Sequence, residues 1–271
     1  MRVGVMIIGA LLWDTHPTRI SWRGSRLSLD RSQHVRASIG YRRRSQSWQN
    51  AFTMTFSSDG APGQAVLVPC RAEAVDVIGL LQEARELWRA EQRSATAGPL
   101  GSTWGCVGAA FRTEVTSDPM LMSWVERFRQ EVATPVPPVG DGGLLAIPWP
   151  LRIDDREPAD CDVILATATE QTPSTPSPEV VADAWLEQTG GAEKYFFENV
   201  RHGIRTAEDL AIWQRVEAIG AHWLNDSRYA EPIAILRREA GLASNQRVEP
   251  TASNFCGRIR AMFRRGSRAD R

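Results

Sequence analysis

Apolar positions along this chain follow two different periods, and the change from one to the other predicts its elements. Residues 3–13 are continuously apolar, the pattern of a strand covered on both faces. Residues 15–36 are polar and rich in Arg and Ser, and read as a long loop. Residues 39–44 and 51–56 are further strand candidates; in the second, Phe52, Met54 and Phe56 alternate with Thr53 and Thr55. Turn residues fill 57–63, so 64–70 returns as the partner strand of a hairpin. From 73 to 93 the period becomes helical, with Val77, Leu80, Leu81, Ala84, Leu87 and Trp88 on one face. Residues 104–111 form another apolar strand. Asp118-Pro119 opens a second helix carrying Leu121, Trp124, Val125 and Phe128, and 135–143 breaks it. Residues 143–153 and 162–168 are the last strand candidates.

A Pro/Ser linker at 172–178 separates this part from a run that is helical throughout, 179–242. Its first helix stops at Gly190-Gly191, a second covers 192–202, and Thr206-x-x-Asp209 resembles the capping box of a third. Because two strands are joined by a hairpin, strict β-α-β alternation is excluded and the expected class is α+β.

Composition adds little to the fold but narrows function. The 271 residues suffice to bury a core without disulfides or metal. The four cysteines, Cys70, Cys106, Cys161 and Cys256, form no C-x-x-C pair and read as small buried thiols of a reducing compartment. Residues 244–271 hold seven arginines against Glu249 and Asp270, a net of +5, which leaves 1–243 at −5 within a total of +0. A mildly acidic body argues against a nucleic-acid partner, and the tail, without apolar period, is expected to be disordered. The apolar opening lacks a small-x-small cleavage site and is too short to span a bilayer, so the expectation is a cytoplasmic protein with no membrane partner. His16, His34, His202 and His222 have no metal spacing, and no Walker, dinucleotide or Gly-x-Ser-x-Gly pattern occurs. No metal and no cofactor are therefore expected.

One local feature carries chemistry. Ile8-Gly-Ala-Leu-Leu-Trp13 places a glycine at the end of the first strand, where backbone often approaches a ligand closely, although such a glycine also serves plain packing. The segment resembles the opening Tyr-Gly-Ser-Leu-(Leu)-Trp of the γ-glutamyl cyclotransferase-like proteins, above all their glutathione-degrading branch. Further likenesses follow in the same order: Ile39-Gly-Tyr-Arg-Arg-Arg44, Pro62-Gly-Gln-Ala-Val-Leu-Val-Pro69, Trp104-Gly-Cys-Val-Gly-Ala-Ala-Phe-Arg112 and Gly190-Gly-Ala-Glu-Lys-Tyr-Phe-Phe-Glu-Asn-Val200. The helix at 73–93 has no counterpart and reads as an insertion.

The resemblance implies a small mixed β-barrel of about six strands with external helices, spanning 1–170, and a helical segment, 179–243, packed on it. It also implies a substrate, a γ-glutamyl or related amino-acid-derived compound, whose α-amine attacks its own γ-carbonyl to release 5-oxoproline. The loop N–H groups would hold the substrate and a carboxylate would act as base. Carried onto this chain, the substrate-binding positions are Gly9, Ala10, Leu11, Leu12 and Arg42. The base is Glu126, in Leu121-Met-Ser-Trp124-Val-Glu126, with Glu131 as runner-up. Both also read as solvated helix carboxylates. Ile8 and Ala10 replace the family's Tyr and Ser, so the alternative is a non-catalytic small-molecule-binding or interaction protein on the same scaffold. The arginines between 19 and 44 read either as a solvated loop or as an anion-binding rim above Gly9.

Overall fold

A computed structural model describes residues 1–57, 61–112, 118–187 and 191–246. Most of the expected basic tail lies outside the described residues; 244–246 form the end of the last helix. The fold is α+β, with a seven-stranded mixed sheet and, among the described residues, seven α-helices. The strands are β1 (Val3–Ile7), β2 (Gln33–Ser45), β3 (Ala51–Phe56), β4 (Pro62–Pro69), β5 (Gly101–Ser102), β6 (Gly105–Phe111) and β7 (Val163–Thr169), in the order β3-β2-β4-β1-β7-β6-β5. Only β1 and β7 run parallel.

The sheet is open, which corrects the expected barrel of about six strands. Its topology supplies the reason. Its edge strands are β3 and the two-residue β5; β3 comes against β7, which is already paired with β1 and β6, and no ladder closes the sheet. The sheet nevertheless curls. Thr55 Oγ1 donates to the Thr169 carbonyl at 3.3 Å and Gln171 Nε2 to that of Phe56 at 2.7 Å. Side-chain bonds thus stand where ladder bonds would complete a barrel.

The helices are α1 (Pro17–Arg26), α2 (Val77–Gln92), α3 (Asp118–Glu131), α4 (Pro178–Leu186), α5 (Ala192–Arg201), α6 (Asp209–Ile219) and α7 (Ala230–Gln246). α2 packs on β6 and β7, and α1 and α3 pack on α2. α4 and α5 cover β3, the exposed edge. Trp185 Nε1 donates to the Phe52 carbonyl at 3.1 Å, and the Met54 N–H donates to the Tyr195 hydroxyl at 3.0 Å. Edge groups that could template another strand are thereby satisfied by indole and phenol. Phe197 of α5 then meets Trp213, Trp223 and Tyr229, which ties α6 and α7 into the same core.

Three expectations fail locally. Residues 64–70 do not return beside 51–56 as a hairpin: β2 is long enough to pair with β3 through Ile39–Ser45 and with β4 through Gln33–Ser38, so it lies between them. Residues 15–36 contain helix α1 instead of an unbroken loop, and β2 already begins at Gln33. His16 caps α1 by accepting the Thr18 N–H, and Pro17 begins it as proline favours. Residues 143–153 form isolated bridges, not a strand. Pro148 and Pro150 remove two ladder donors there. No helix among the described residues is long and apolar enough to cross a membrane.

Candidate functional site

The first strand ends at Ile7, earlier than its apolar run suggests, and residues 8–14 fold back in a tight turn. The Leu12 N–H donates to the Gly9 carbonyl at 3.1 Å and the Asp14 N–H to that of Ala10 at 2.9 Å. α1 holds the turn from behind. Arg23, 9% exposed, donates to the carbonyls of Leu11 at 2.7 Å and Asp14 at 2.8 Å. The Asp14 carboxylate accepts from Arg19 at 2.9 Å and Arg93 at 2.6 Å, and from the His16 N–H at 3.1 Å. Burial raises the Asp14 pKa, but the fields of Arg19 and Arg93 outweigh it and leave the carboxyl below the ordinary carboxylate range. Burial, then neighbouring Arg19, lowers that of Arg23.

The carbonyls of this turn are therefore consumed, while the N–H groups of Gly9, Ala10 and Leu11 meet no acceptor among the described residues. These three residues line a cavity of about 780 Å³. Arg43 and Trp104 line it too, with the guanidinium carbon 4.6 Å from the indole centroid. Arg43 has no hydrogen-bonded or ionic partner for its guanidinium among the described residues. Thr169, 6% exposed, also lines the cavity, and its hydroxyl is buried without a partner. Trp48 and Tyr195 add aromatic wall; α2 contributes Glu91 and Gln92, and its C-cap Arg93. Four arginines (19, 43, 44, 93) face two glutamates (91, 170), so the lining is net positive and suits an anion.

Of the residues expected at a site, Gly9, Ala10 and Leu11 come together here, whereas Leu12 lines a second cavity beside His34 and Arg205. Arg42 does not line the first cavity. Register shifts between Tyr41 and Arg43, so the bulge turns Arg43 inward instead. Glu126 lines a separate shallow pocket on α3 with Met122 and Arg129. Glu131 is ion-paired with Arg85 of α2 and does not line the cavity. Arg19 and Arg23 are buried behind the loop, so they shape it; Arg43 and Arg44 carry the cationic rim.

Sequence reasoning had Arg43 only as one of the arginines between 19 and 44, with Arg42 singled out in its place, and missed Glu91, Glu170, Thr169 and Tyr195. The quoted motif at 190–200 contains Tyr195, but nothing local in it points toward Gly9. Cys70, Cys106 and Cys161 are free thiols, and burial raises all three pKa values, that of Cys161 to about 12. Among the described residues no group of three or more His, Cys, Asp or Glu could hold a metal. In comparisons with known proteins, no family model, no curated protein and no solved structure matches the chain.

Proposed function

We propose that this protein binds a small anionic compound of the γ-glutamyl, amino-acid-derived kind in the cavity beside the Gly9–Leu11 turn. The observation that carries the reading is the row of three N–H groups without acceptors, in a turn that lines the same cavity as Arg43, whose guanidinium has no hydrogen-bonded or ionic partner among the described residues. Backbone donors and a guanidinium both favour carboxylate oxygen. The size suits a molecule of dipeptide to tripeptide dimensions. The ordered resemblance along 5–200 supplies the γ-glutamyl class.

A second reading, cyclotransferase catalysis, is favoured by one further observation. Glu170 lines the cavity, and its carboxylate has no hydrogen-bonded or ionic partner among the described residues. It is better placed as the base than Glu126 or Glu131, and Glu91 is held by Arg19. The substrate α-amine would give a proton to Glu170 and attack the γ-carbonyl, and the amine of the departing residue would take up a proton as the γ-amide bond breaks.

The test is calorimetric titration with γ-glutamylglycine, followed by assay of the mixture for 5-oxoproline. Binding is expected, weakened about tenfold by Arg43→Gln, equivalent to ~1.4 kcal/mol. Product that disappears in Glu170→Gln supports the enzyme; binding without product supports the binding protein. Absence of both, with this dipeptide and with other γ-glutamyl peptides, overturns the proposal.

A further inference from the structure

We infer that Tyr195 contacts the ligand, its hydroxyl donating to the oxygen that lies against the Gly9–Leu11 N–H groups; the inference rests on the binding reading above. Tyr195 comes from α5, far from the turn in sequence, yet its hydroxyl oxygen lies 2.7 Å from where a Cβ on Gly9 would sit. The residue is 4% exposed and lines the cavity. Trp13 and Trp48 flank its ring, with centroids 6.1 and 5.5 Å away, and fix its direction.

A purely structural role has to be weighed first. The Tyr195 oxygen accepts the Met54 N–H and so caps the edge of β3. That bond uses a lone pair and leaves the proton unspent. Tyr41 shows how a buried phenol otherwise behaves in this protein: its hydroxyl donates to Asp209 Oδ1 at 3.0 Å. The Tyr195 proton has no such acceptor among the described residues. Asn199, one turn along α5, uses its Oδ1 on the Trp13 indole, which turns its amide nitrogen to the Tyr195 side and not an acceptor. Burial pushes the Tyr195 pKa up to about 12, so the proton is present at any working pH. A buried donor without a partner costs stability unless a ligand or water completes it. The hydroxyl of Thr169, buried and unpartnered on the same cavity, is a second group in that condition. Two unsatisfied hydroxyls, three free N–H groups and an unpaired guanidinium around one space match an oxygen-rich anion.

The experiment titrates γ-glutamylglycine into the full chain and into Tyr195→Phe, with Tyr41→Phe as the control for losing a buried phenol elsewhere. Tyr195→Phe is expected to weaken binding about tenfold or more, whereas Tyr41→Phe lowers the unfolding midpoint but leaves affinity within about twofold. Wild-type affinity in folded Tyr195→Phe overturns this inference and leaves the binding reading standing. No binding by the wild type removes both. Gly9→Ala keeps the phenol but drives its oxygen away, so it too is expected to lose affinity; affinity equal to wild type overturns the inference even where Tyr195→Phe fails to fold. Combined with Tyr195→Phe, the extra methyl has room, and the second loss should be much smaller than the first.

Discussion

Replacing Arg23 with methionine removes the two bonds that set the shape of the turn while keeping an unbranched side chain of similar length. Arg23 donates to Leu11 and Asp14 carbonyls at 2.7 and 2.8 Å from a site that is 9% exposed. Hydrogen bonds from a charged donor contribute about 1.5–3 kcal/mol each, so the gross loss is ~3–6 kcal/mol. Two terms oppose it. A buried guanidinium is desolvated and repelled by Arg19, as its lowered pKa records. Methionine also gains from burying its own apolar surface. A net destabilisation of about 2–4 kcal/mol remains. It should be read from denaturant unfolding as a lowered midpoint at unchanged slope. Because two carbonyls lose their donor, the peptide groups of the turn can also rotate, and affinity for γ-glutamylglycine should fall with stability. A loss below ~1 kcal/mol together with wild-type affinity would refute the claim that α1 shapes this loop.

Two other consequences concern the same framework. Asp14 titrates below its ordinary range, since the fields of Arg19 and Arg93 outweigh burial, so its ionised form contributes stability above the unfolded-state pKa and loses it as pH falls through the folded one. Asp14→Asn should therefore be less stable than wild type at neutral pH, with the gap closing below about pH 4; a gap independent of pH would contradict the assignment. At Gly63 an added Cβ would lie 2.2 Å from the Arg205 carbonyl oxygen, where β4 and the α5–α6 connection exchange the Gln64–Arg205 hydrogen bonds. Gly63→Ala should cost ~1–3 kcal/mol of unfolding free energy without changing ligand affinity, and a neutral effect on stability would show that the connection yields freely.

What was legible in the sequence was what is local. Alternation at Phe52, Met54 and Phe56 predicts strand β3, and the stripe from Val77 to Trp88 predicts α2, because period acts over a few residues; the pairing of β3 was not legible, since β3 lies beside β2 and not beside β4. Helix α1 was not legible for a physical reason. Its buried face is Trp22 flanked by Arg19 and Arg23, whose guanidinia are inside because Asp14 and loop carbonyls neutralise and bond them. A face made of arginine looks like solvent-facing sequence. The barrel expectation failed on pairing, not on strand content, since the loss of a free edge on β7 depends on where β6 lies. Arg42 and Arg43 were indistinguishable by alternation, because one bulge reverses it.

The same division runs through the site. The N–H row belongs to one short turn, so a glycine at the end of an apolar run could point to it. Its counterparts are scattered: the guanidinium comes from β2, the free carboxylate from the end of β7, the phenol from α5. α2, which the resemblance leaves without a counterpart, links two sides of the cavity. Its Trp88 packs on Trp104 at 4.8 Å between centroids, beneath the Arg43 guanidinium, and Arg93 just past its end bonds Asp14 behind the turn. Helix α2 thus supports both the cation and the N–H row, and it adds Glu91 and Gln92 to the lining. Without this helix neither support would exist, so the proposed binding depends on α2 as well as on the first loop. Ile8 and Ala10 offer no side-chain hydroxyl in that loop, yet Tyr195 and Thr169 place two around the same space. Polarity absent from one loop of a site can therefore be supplied by another element, and a motif read one strand at a time registers only the absence.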